Sequence, residues 1–387
     1  MAQIVSLAGA VDAAIHDGDS VAMEGFTHLI PFSAGHEVIR QQRRDLTLIR
    51  MTPDVIYDQL IGAGCASKLI FSWGGNPGVG SLHRFRDAVE NAWPGPLQLE
   101  EHSHAGMANR YVAGAAGLPF AVLRGYAGTG LDGLPGLDGL PAVRPITCPF
   151  TGEKLTAVAA LTPDVAVIHA QQADRAGNVQ LWGITGVQKE AVLSARRSVV
   201  TVEEIVDVLT PRPQAIVLPA WTVDYVAHVP GGAHPSYALG YSQRDNDFYV
   251  AWDAISRDRE RFLHWLKTDV YGAPSPAGLA GARAGAVPDR GDEVDALHEG
   301  PAALPDDDDD LAAEGGDLGR PSGTGQPDRG VGVAAADDRG VDVAEPVELR
   351  RAEEANVDAA RLQPVVEDLR HAHHRVRGLG QYAVADR

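Results

Sequence analysis

The alternation of short apolar runs with helix-like segments constrains this fold more than any other feature of the sequence. The run at 46–51 is short and apolar, as buried strands are, whereas 55–62 repeats apolar residues at the spacing of one helix face. The same patterns predict strands at 20–23, 46–51, 68–73, 165–170 and 198–202, and helices at 7–16, 34–41, 55–62, 82–91 and 190–194. Strands that alternate with helices through short Gly-rich connections form parallel sheets. The sequence therefore predicts an α/β fold, an open and mostly parallel sheet with helices on both faces.

The composition changes abruptly after Tyr271. From 273 to 387 the chain has no Lys, Ile, Phe, Trp, Met or Cys, and Tyr382 is the one Phe, Trp or Tyr residue. This segment has 12 Arg against 24 Asp and Glu, so it carries −12 of the formal net charge of −19. Such a segment cannot bury enough apolar surface to offset the entropy of ordering its backbone.

Two interpretations of this acidic, Ala/Gly/Asp/Arg-rich tail are open. It is a disordered tail, or it is a GC-rich coding region read in a shifted frame, and the missing Lys, Ile and Phe favour the second. On either interpretation we expect a folded domain at 1–271 and, at 272–387, a tail without an ordered globular domain.

Charge and hydropathy exclude several classes of function. A chain with a net charge of −19 is repelled by nucleic acid and by anionic membranes. No window approaches the roughly 20 apolar residues that cross a bilayer, and no basic stretch precedes an apolar one at the N-terminus. The two cysteines, Cys65 and Cys148, form no disulfide framework. We expect a cytoplasmic protein that binds neither nucleic acid nor membrane.

Two loops follow predicted strands and are candidates for a ligand site. One is 24–31, with the sequence EGFTHLIP, and the other is 74–80, with the sequence GGNPGVG. In open parallel sheets, ligands bind beyond the carboxyl ends of the strands. Glycines there let the backbone approach a ligand closely, although a tight structural turn explains them equally well. The second loop is neither a P-loop nor a dinucleotide-binding fingerprint.

Acidic and histidine residues gather at 100–104, with the sequence EEHSH. Their spacing matches no standard zinc motif, so we predict no metal site. Glu101 or Ser103 is a candidate to face a substrate. His169 ends a predicted strand, and we interpret it as a hydrogen-bonded structural residue, because that is the commoner role of a single histidine there.

The order of these motifs resembles the alpha subunits of family I coenzyme A transferases, over about 4–266. The segments that carry the resemblance are 24–31, 48–54, 69–87, 101–104, 167–171 and 228–237. The family signature has Gly-Gly-Phe where this chain has Glu24, Gly25 and Phe26. That variant resembles the branch that acts on 3-oxoadipate, of the glutaconate CoA-transferase type.

The resemblance implies a reaction shared between two chains. It implies transfer of CoA from succinyl-CoA to 3-oxoadipate, in aromatic degradation through the beta-ketoadipate pathway, by a ping-pong mechanism. The nucleophilic glutamate lies in a Ser-Glu-Asn-Gly motif of the beta subunit, and this chain has no such motif. We therefore expect no catalytic residue, no cofactor, and an α2β2 assembly. The residues expected to bind substrate or CoA are Gly25, Phe26, Thr27, Gly74, Gly75, Asn76, Glu101 and Ser103.

Three alternatives stay open. The chain could act on glutaconate or another 3-oxo acid. It could be an acyl-CoA hydrolase of the same fold, with Glu101 as the base. A ligand-binding regulator of the sugar-phosphate type would need a helix-turn-helix, and no segment of the sequence offers one.

Overall fold

A computed structural model describes residues 2–272 of the chain. The tail predicted at 272–387 lies outside the described residues apart from Gly272, so the absence of an ordered domain there stays a prediction.

Strands and helices alternate through most of the described chain. The strands are β1 (Gln3–Ile4), β2 (Ser20–Glu24), β3 (Leu46–Ile49), β4 (Ala66–Phe71), β5 (Gln98–Glu101), β6 (Phe120–Leu123), β7 (Val143–Thr147), β8 (Lys154–Ala159), β9 (Val165–Asp174), β10 (Val179–Leu181), β11 (Arg197–Val206), β12 (Ile216–Leu218) and β13 (Tyr225–His228). The α-helices are α1 (Leu7–Ala14), α2 (Phe32–Arg40), α3 (Val55–Gly62), α4 (His83–Asn91), α5 (His104–Ala115), α6 (Gln188–Ser194), α7 (Asn246–Arg257) and α8 (Arg259–Trp265). A 3₁₀ turn (Ala220–Thr222) and a π-helical turn (Leu266–Tyr271) complete the described elements.

Polar side chains fix where several helices begin. The residue before the helix accepts a hydrogen bond from a backbone N–H of the first turn, which would otherwise lack a partner. This occurs at α1, α3, α5, α7 and α8, where the capping residues are Ser6, Asp54, Ser103, Asp245 and Asp258.

The central sheet confirms the predicted architecture. Eight strands pair in the order β1-β13-β11-β9-β2-β3-β4-β5, and every neighbouring pair is parallel. The short β10 adds antiparallel pairings to β9 and β12. Helices cover both faces, as the alternation along β2 shows. Val21 and Met23 pack into a core with α1, α2, α3, α7 and α8, whereas Ala22 packs into a core with α5 and α6.

A second, smaller sheet was not predicted. Strands β6, β8 and β7 form an antiparallel sheet in that order, closed around a small cluster of Tyr126, Val143 and Val158. Its strands are short and half exposed, so their apolar pattern is weak. Among residues 2–272, no helix has the length and apolar character needed to cross a bilayer.

Candidate functional site

A cleft of about 170 Å³ lies where four neighbouring parallel strands end. Because β2, β3, β4 and β5 run in the same direction, the segments that follow them meet at one edge of the sheet. Each of these segments contributes to the wall of the cleft. The lining residues are Phe26, Thr27, Arg50, Thr52, Asp54, Trp73, Pro77 and His104.

The loop after β2 turns back tightly on itself. A Cβ atom on Gly25 would lie 2.7 Å from the carbonyl oxygen of Leu29 and 2.9 Å from the Cα of Ile30, so only glycine fits there. Thr27 and Leu29 both have positive φ, at 57° and 53°. Residues without a glycine's freedom hold such angles only where their surroundings impose them.

The buried side chain of His28 holds this loop in place through hydrogen bonds to two other segments. It is fully buried, its Nδ1 lies 3.0 Å from the carbonyl oxygen of Ile184, and its Nε2 accepts a hydrogen bond from the backbone N–H of Leu239 at 2.9 Å. The proton therefore resides on Nδ1, and the ring is neutral. Burial lowers the pKa of His28, which agrees with that neutral form. The loop is thus held between the segments after β10 and β13.

An ion pair forms the floor of the cleft. The guanidinium of Arg50 donates to both carboxylate oxygens of Asp54, at 2.9 and 3.1 Å, and to the carbonyl oxygen of Gly25 at 2.6 Å. Asp54 also caps α3. Burial raises the pKa of Asp54, and the charge of Arg50 opposes that rise. The pair thus ties the loop after β2 to the loop after β3.

Glu24 ends β2 directly beneath this loop and is almost completely buried. Its Oε1 accepts hydrogen bonds from the Tyr111 hydroxyl at 2.8 Å and from the backbone N–H of Met51 at 3.0 Å. Burial raises the pKa of Glu24 to about 7, and the charge of Arg50 limits the rise. This carboxyl group is therefore partly protonated at neutral pH.

The Gly-rich loop at 74–80 forms another wall. The backbone N–H of Gly75 donates to the carbonyl oxygen of Pro53 at 3.1 Å, and the Asn76 side-chain amide donates to the carbonyl oxygen of Tyr249 at 2.8 Å. Trp73, half exposed, covers Gly75 so closely that a Cβ there would lie 2.5 Å from the indole ring. Trp73, just before this loop, and Pro77, within it, line the cleft.

The acidic and histidine cluster at 100–104 divides into two parts. Glu100 is buried, accepts a hydrogen bond from Arg110 at 2.5 Å, and lies 3.0 Å from Nε2 of His102. The hydrogen bonds and positive charge around Glu100 outweigh its burial and lower its pKa to about 2. Glu101, by contrast, is exposed at the end of β5. Ser103 caps α5, with its hydroxyl accepting the N–H of Gly106 at 3.0 Å.

The structure brings most of the predicted binding residues to this edge of the sheet in different roles. Phe26 and Thr27 line the cleft, while Gly25, Gly74, Gly75 and Asn76 shape its loops. Glu101 and Ser103 lie at the start of α5, beside the lining residue His104. The lining residues that were not predicted are Arg50, Thr52, Asp54, Trp73, Pro77 and His104. Each of them lies in a segment that follows a strand of the parallel sheet, and this position is the sequence signal that could have identified them.

The interpretation of His169 as a structural residue is confirmed. The ring is fully buried, with Nδ1 2.8 Å from the Thr201 hydroxyl and Nε2 2.9 Å from the Glu203 carboxylate. Both ring nitrogens thus have partners on the neighbouring strand β11. In the described part of the chain, no group of three or more His, Cys, Asp or Glu side chains could hold a metal ion.

Comparison with known proteins identifies the family. Residues 4–228 match the model of a protein family described as "Coenzyme A transferase". The chain belongs to the coenzyme A transferase family. This transferase chain is 62% identical over 272 residues to the A subunit of the 3-oxoadipate CoA-transferase of Pseudomonas knackmussii, a match that covers 70% of this chain and 95% of that one.

More distant relatives share the fold of this coenzyme A transferase. The crystal structure of glutaconate coenzyme A-transferase from Acidaminococcus fermentans has a TM-score of 0.66 at 31% identity, and the match covers 73% of this chain and 92% of that chain. A variant of the decarboxylase AibA/AibB has a TM-score of 0.59 at 29% identity, with 69% and 98% covered. The match to the A subunit of a 3-oxoadipate CoA-transferase, along nearly the whole of that subunit, makes this chain a transferase subunit of the alpha type.

Proposed function

We propose that this chain is the alpha subunit of a two-subunit CoA transferase that moves CoA from succinyl-CoA to 3-oxoadipate. The observation that carries the proposal is the 62% identity to the A subunit of a 3-oxoadipate CoA-transferase, over 95% of that protein. Glutaconate is the less favoured acceptor, because the A subunit of the glutaconate enzyme is only 34% identical. Such a reaction belongs to aromatic degradation through the beta-ketoadipate pathway, in the cytoplasm.

The chemistry proposed for the complex uses a carboxylate of the partner chain. A glutamate of the beta chain attacks the thioester carbonyl of succinyl-CoA, and the CoA thiolate leaves as a mixed anhydride forms. The thiolate then attacks the glutamyl carbonyl of the anhydride, so that a glutamyl-CoA thioester remains and succinate departs. 3-Oxoadipate enters and reverses both steps.

The state of the two buried acids at the cleft, Asp54 and Glu24, supports a nucleophile from outside this chain. Asp54 is held by Arg50 through two hydrogen bonds, and the buried Glu24 is partly protonated and bonded to Tyr111. A carboxylate engaged in this way is a poor nucleophile, because attack would break the bonds that stabilise its charge. No Ser-Glu-Asn-Gly motif occurs in the sequence.

The rim of the cleft supports a partner at this edge. Phe26 is 37% exposed, Trp73 is 50% exposed, and Val79 on the Gly-rich loop is 38% exposed. Exposed aromatic and aliphatic side chains beside a small open cleft are typical of surfaces that a second chain covers. We propose that the beta subunit closes the cleft here, in an α2β2 assembly that needs no cofactor besides the CoA thioester substrate.

The test is co-expression with the cognate beta subunit. The purified complex should exchange CoA between succinyl-CoA and 3-oxoadipate, and mass spectrometry of the complex with succinyl-CoA alone should find a glutamyl-CoA thioester on the beta chain. The alpha chain alone is the control and should show no exchange.

A complex that hydrolyses an acyl-CoA without transferring CoA to any acid would contradict the proposal. That result would favour the hydrolase alternative, and Glu101→Gln would then test Glu101 as its base. Exchange with glutaconate but not with 3-oxoadipate would keep the transferase reaction and change the acceptor.

A further inference from the structure

Arg244 lies directly behind the wall of the cleft, two residues before α7. Its Nη2 donates to the carbonyl oxygen of Pro77 at 2.7 Å, and Pro77 lines the cleft. Its guanidinium carbon stacks over the ring of Tyr249, 4.1 Å from the centroid. Stacking on an aromatic ring holds the planar guanidinium in one orientation, which prepares it for a directional contact.

Among the described residues, most of the hydrogen-bonding capacity of Arg244 is unused. A guanidinium has five N–H donors, and Pro77 is the one described residue that accepts from this group. Its Nε is buried and has no partner among residues 2–272. The Nε atoms of Arg43, Arg50 and Arg84 are buried without a partner as well, so the capacity of Arg244 for a ligand lies in its terminal nitrogens. Nη2 donates to Pro77, and Nη1 donates to no residue among 2–272.

Arg244 also differs from the other arginines near these strand ends in the ion pairs that it forms. Arg50 is neutralised by Asp54, with which it forms two hydrogen bonds, and Arg110 is neutralised by Glu100. Within the described residues, Arg244 forms no ion pair with a carboxylate. Its charge reaches the cleft nevertheless, since it helps to counter the rise in the pKa of Asp54. The guanidinium of Arg244 is therefore the positive group at this wall with capacity for an anionic ligand.

We propose that Arg244 recognises the carboxylate at the far end of the substrate's acyl chain and so determines specificity for dicarboxylic acids. This inference rests on the proposed function, because succinyl and 3-oxoadipyl groups each carry a second carboxylate. Arginine binds carboxylates through two parallel hydrogen bonds, and these charge-assisted bonds are among the strongest in proteins. The phosphates of CoA offer the same anionic oxygens, so the experiment must separate the two ligands.

The test compares two thioether analogues of CoA on the purified alpha–beta complex. The adipyl and hexanoyl analogues cannot react and differ only in the terminal carboxylate, and desulfo-CoA reports on the CoA portion. Isothermal titration calorimetry should show that the wild-type complex prefers the adipyl analogue. R244M should weaken that analogue by roughly 10- to 100-fold, the loss typical of a hydrogen bond to a charged group, and leave the other two ligands within about twofold.

Conservative and matched variants complete the design. R244K keeps the charge without the planar fork, so it should restore part of the preference. Arg257→Met removes an exposed arginine from the end of α7 that pairs with Asp253, and it should leave all three affinities unchanged.

Two results would overturn the assignment. Equal binding of the adipyl and hexanoyl analogues by the wild-type complex would show that the carboxylate is not recognised. A similar loss for all three ligands in R244M would mean that Arg244 supports the Gly-rich loop or binds the CoA phosphates instead. A complex that prefers the adipyl analogue but transfers no CoA to 3-oxoadipate would refute the proposed function and leave this assignment intact.

Discussion

At the scale of single residues, the balance between burial and the partners of each carboxyl group decides which acids near the cleft are charged. Asp54 and Glu100 have arginine partners at hydrogen-bond distance, which support their ionised forms. Glu24 has a tyrosine hydroxyl and a backbone N–H as its hydrogen-bond partners, and its pKa rises to about 7 because burial outweighs these bonds and the more distant charge of Arg50. Two hydrogen bonds to neutral donors compensate a buried charge less well than an ion pair does.

Glu24 should make the stability of the protein fall as the pH rises. The pKa of its carboxyl group is about 7 in the folded state, against a usual value of 4.5. Between these values the folded state binds more protons than the unfolded state, so the free energy of unfolding decreases with increasing pH, by up to about 3 kcal/mol. Above about pH 7 both states are ionised, and the loss is constant.

Glu24→Gln should remove this contribution, because an amide oxygen still accepts both hydrogen bonds but does not ionise. As the pH increases from 5 to 8, the melting temperature of the wild type should fall relative to that of the variant, by on the order of 5 °C. Glu90→Gln, at an exposed site on α4, is the control and should not change the pH dependence. A constant difference between the Glu24 variant and the wild type at the two pH values would contradict the burial argument.

At the scale of elements, the loops after β2 and β4 are fixed by different means. The loop at 24–31 turns back on itself so tightly that its own backbone leaves no room at Gly25. At Gly75 the crowding atoms belong to the ring of Trp73, a half-exposed side chain. The conformation of the first loop is thus constrained by backbone atoms, which cannot shift easily. The crowding in the second loop comes from a side chain that can change its conformation.

Gly25→Ala should therefore destabilise the protein and disturb the cleft together. The added methyl group would meet backbone atoms of Leu29 and Ile30 below 3.0 Å, which costs roughly 1–3 kcal/mol as overpacking does. Thermal unfolding and the exchange activity of the complex would measure both effects. Gly95→Ala is the matched control, since nothing lies within 4 Å of a Cβ there, and an equal effect of both substitutions would refute the steric explanation.

At the scale of the whole molecule, the last described elements pack into the main core. The final turn, Leu266–Tyr271, packs beside α2, where the Nε of Arg40 donates to the carbonyl oxygen of Val270 at 3.0 Å. Trp252 and Trp265 pack edge to face, with ring centroids 4.7 Å apart, over the same core. The last elements of the described domain are thus buried against the sheet layer.

Deletion of residues 273–387 should leave the melting temperature and the exchange activity of the complex unchanged. The tail is predicted to lack a globular domain because of its composition, and thermal unfolding of the shortened and full-length chains tests this. A substantially lower melting temperature of the shortened chain would contradict the prediction. Tryptic peptides of the native protein, identified by mass spectrometry, would decide between the two interpretations, since peptides with the present tail sequence exclude a shifted frame.

Several of the elements that sequence patterns missed have weak local signals. β5 has the sequence QLEE, α5 is rich in Gly and Ala and lacks a strong apolar stripe, and β6–β8 are half exposed. In contrast, 55–62 was predicted to the residue because Asp54 caps a strongly apolar helix. These segments are stabilised by packing against other elements, and such packing cannot be detected in a local sequence pattern.

The sequence by itself determined the parallel α/β fold, the family and the two loops that border the cleft. The fold can be predicted from short-range patterns of apolar residues, and the family and the loops from the order of motifs along the chain. Only the tertiary structure decided the state of the site residues, because their partners are remote in sequence. Glu24 meets Tyr111, 87 positions away, and Arg244 meets Pro77, 167 positions away. Charge and hydrogen bonding depend on distance in space, and the packing of the sheet and its helices sets that distance.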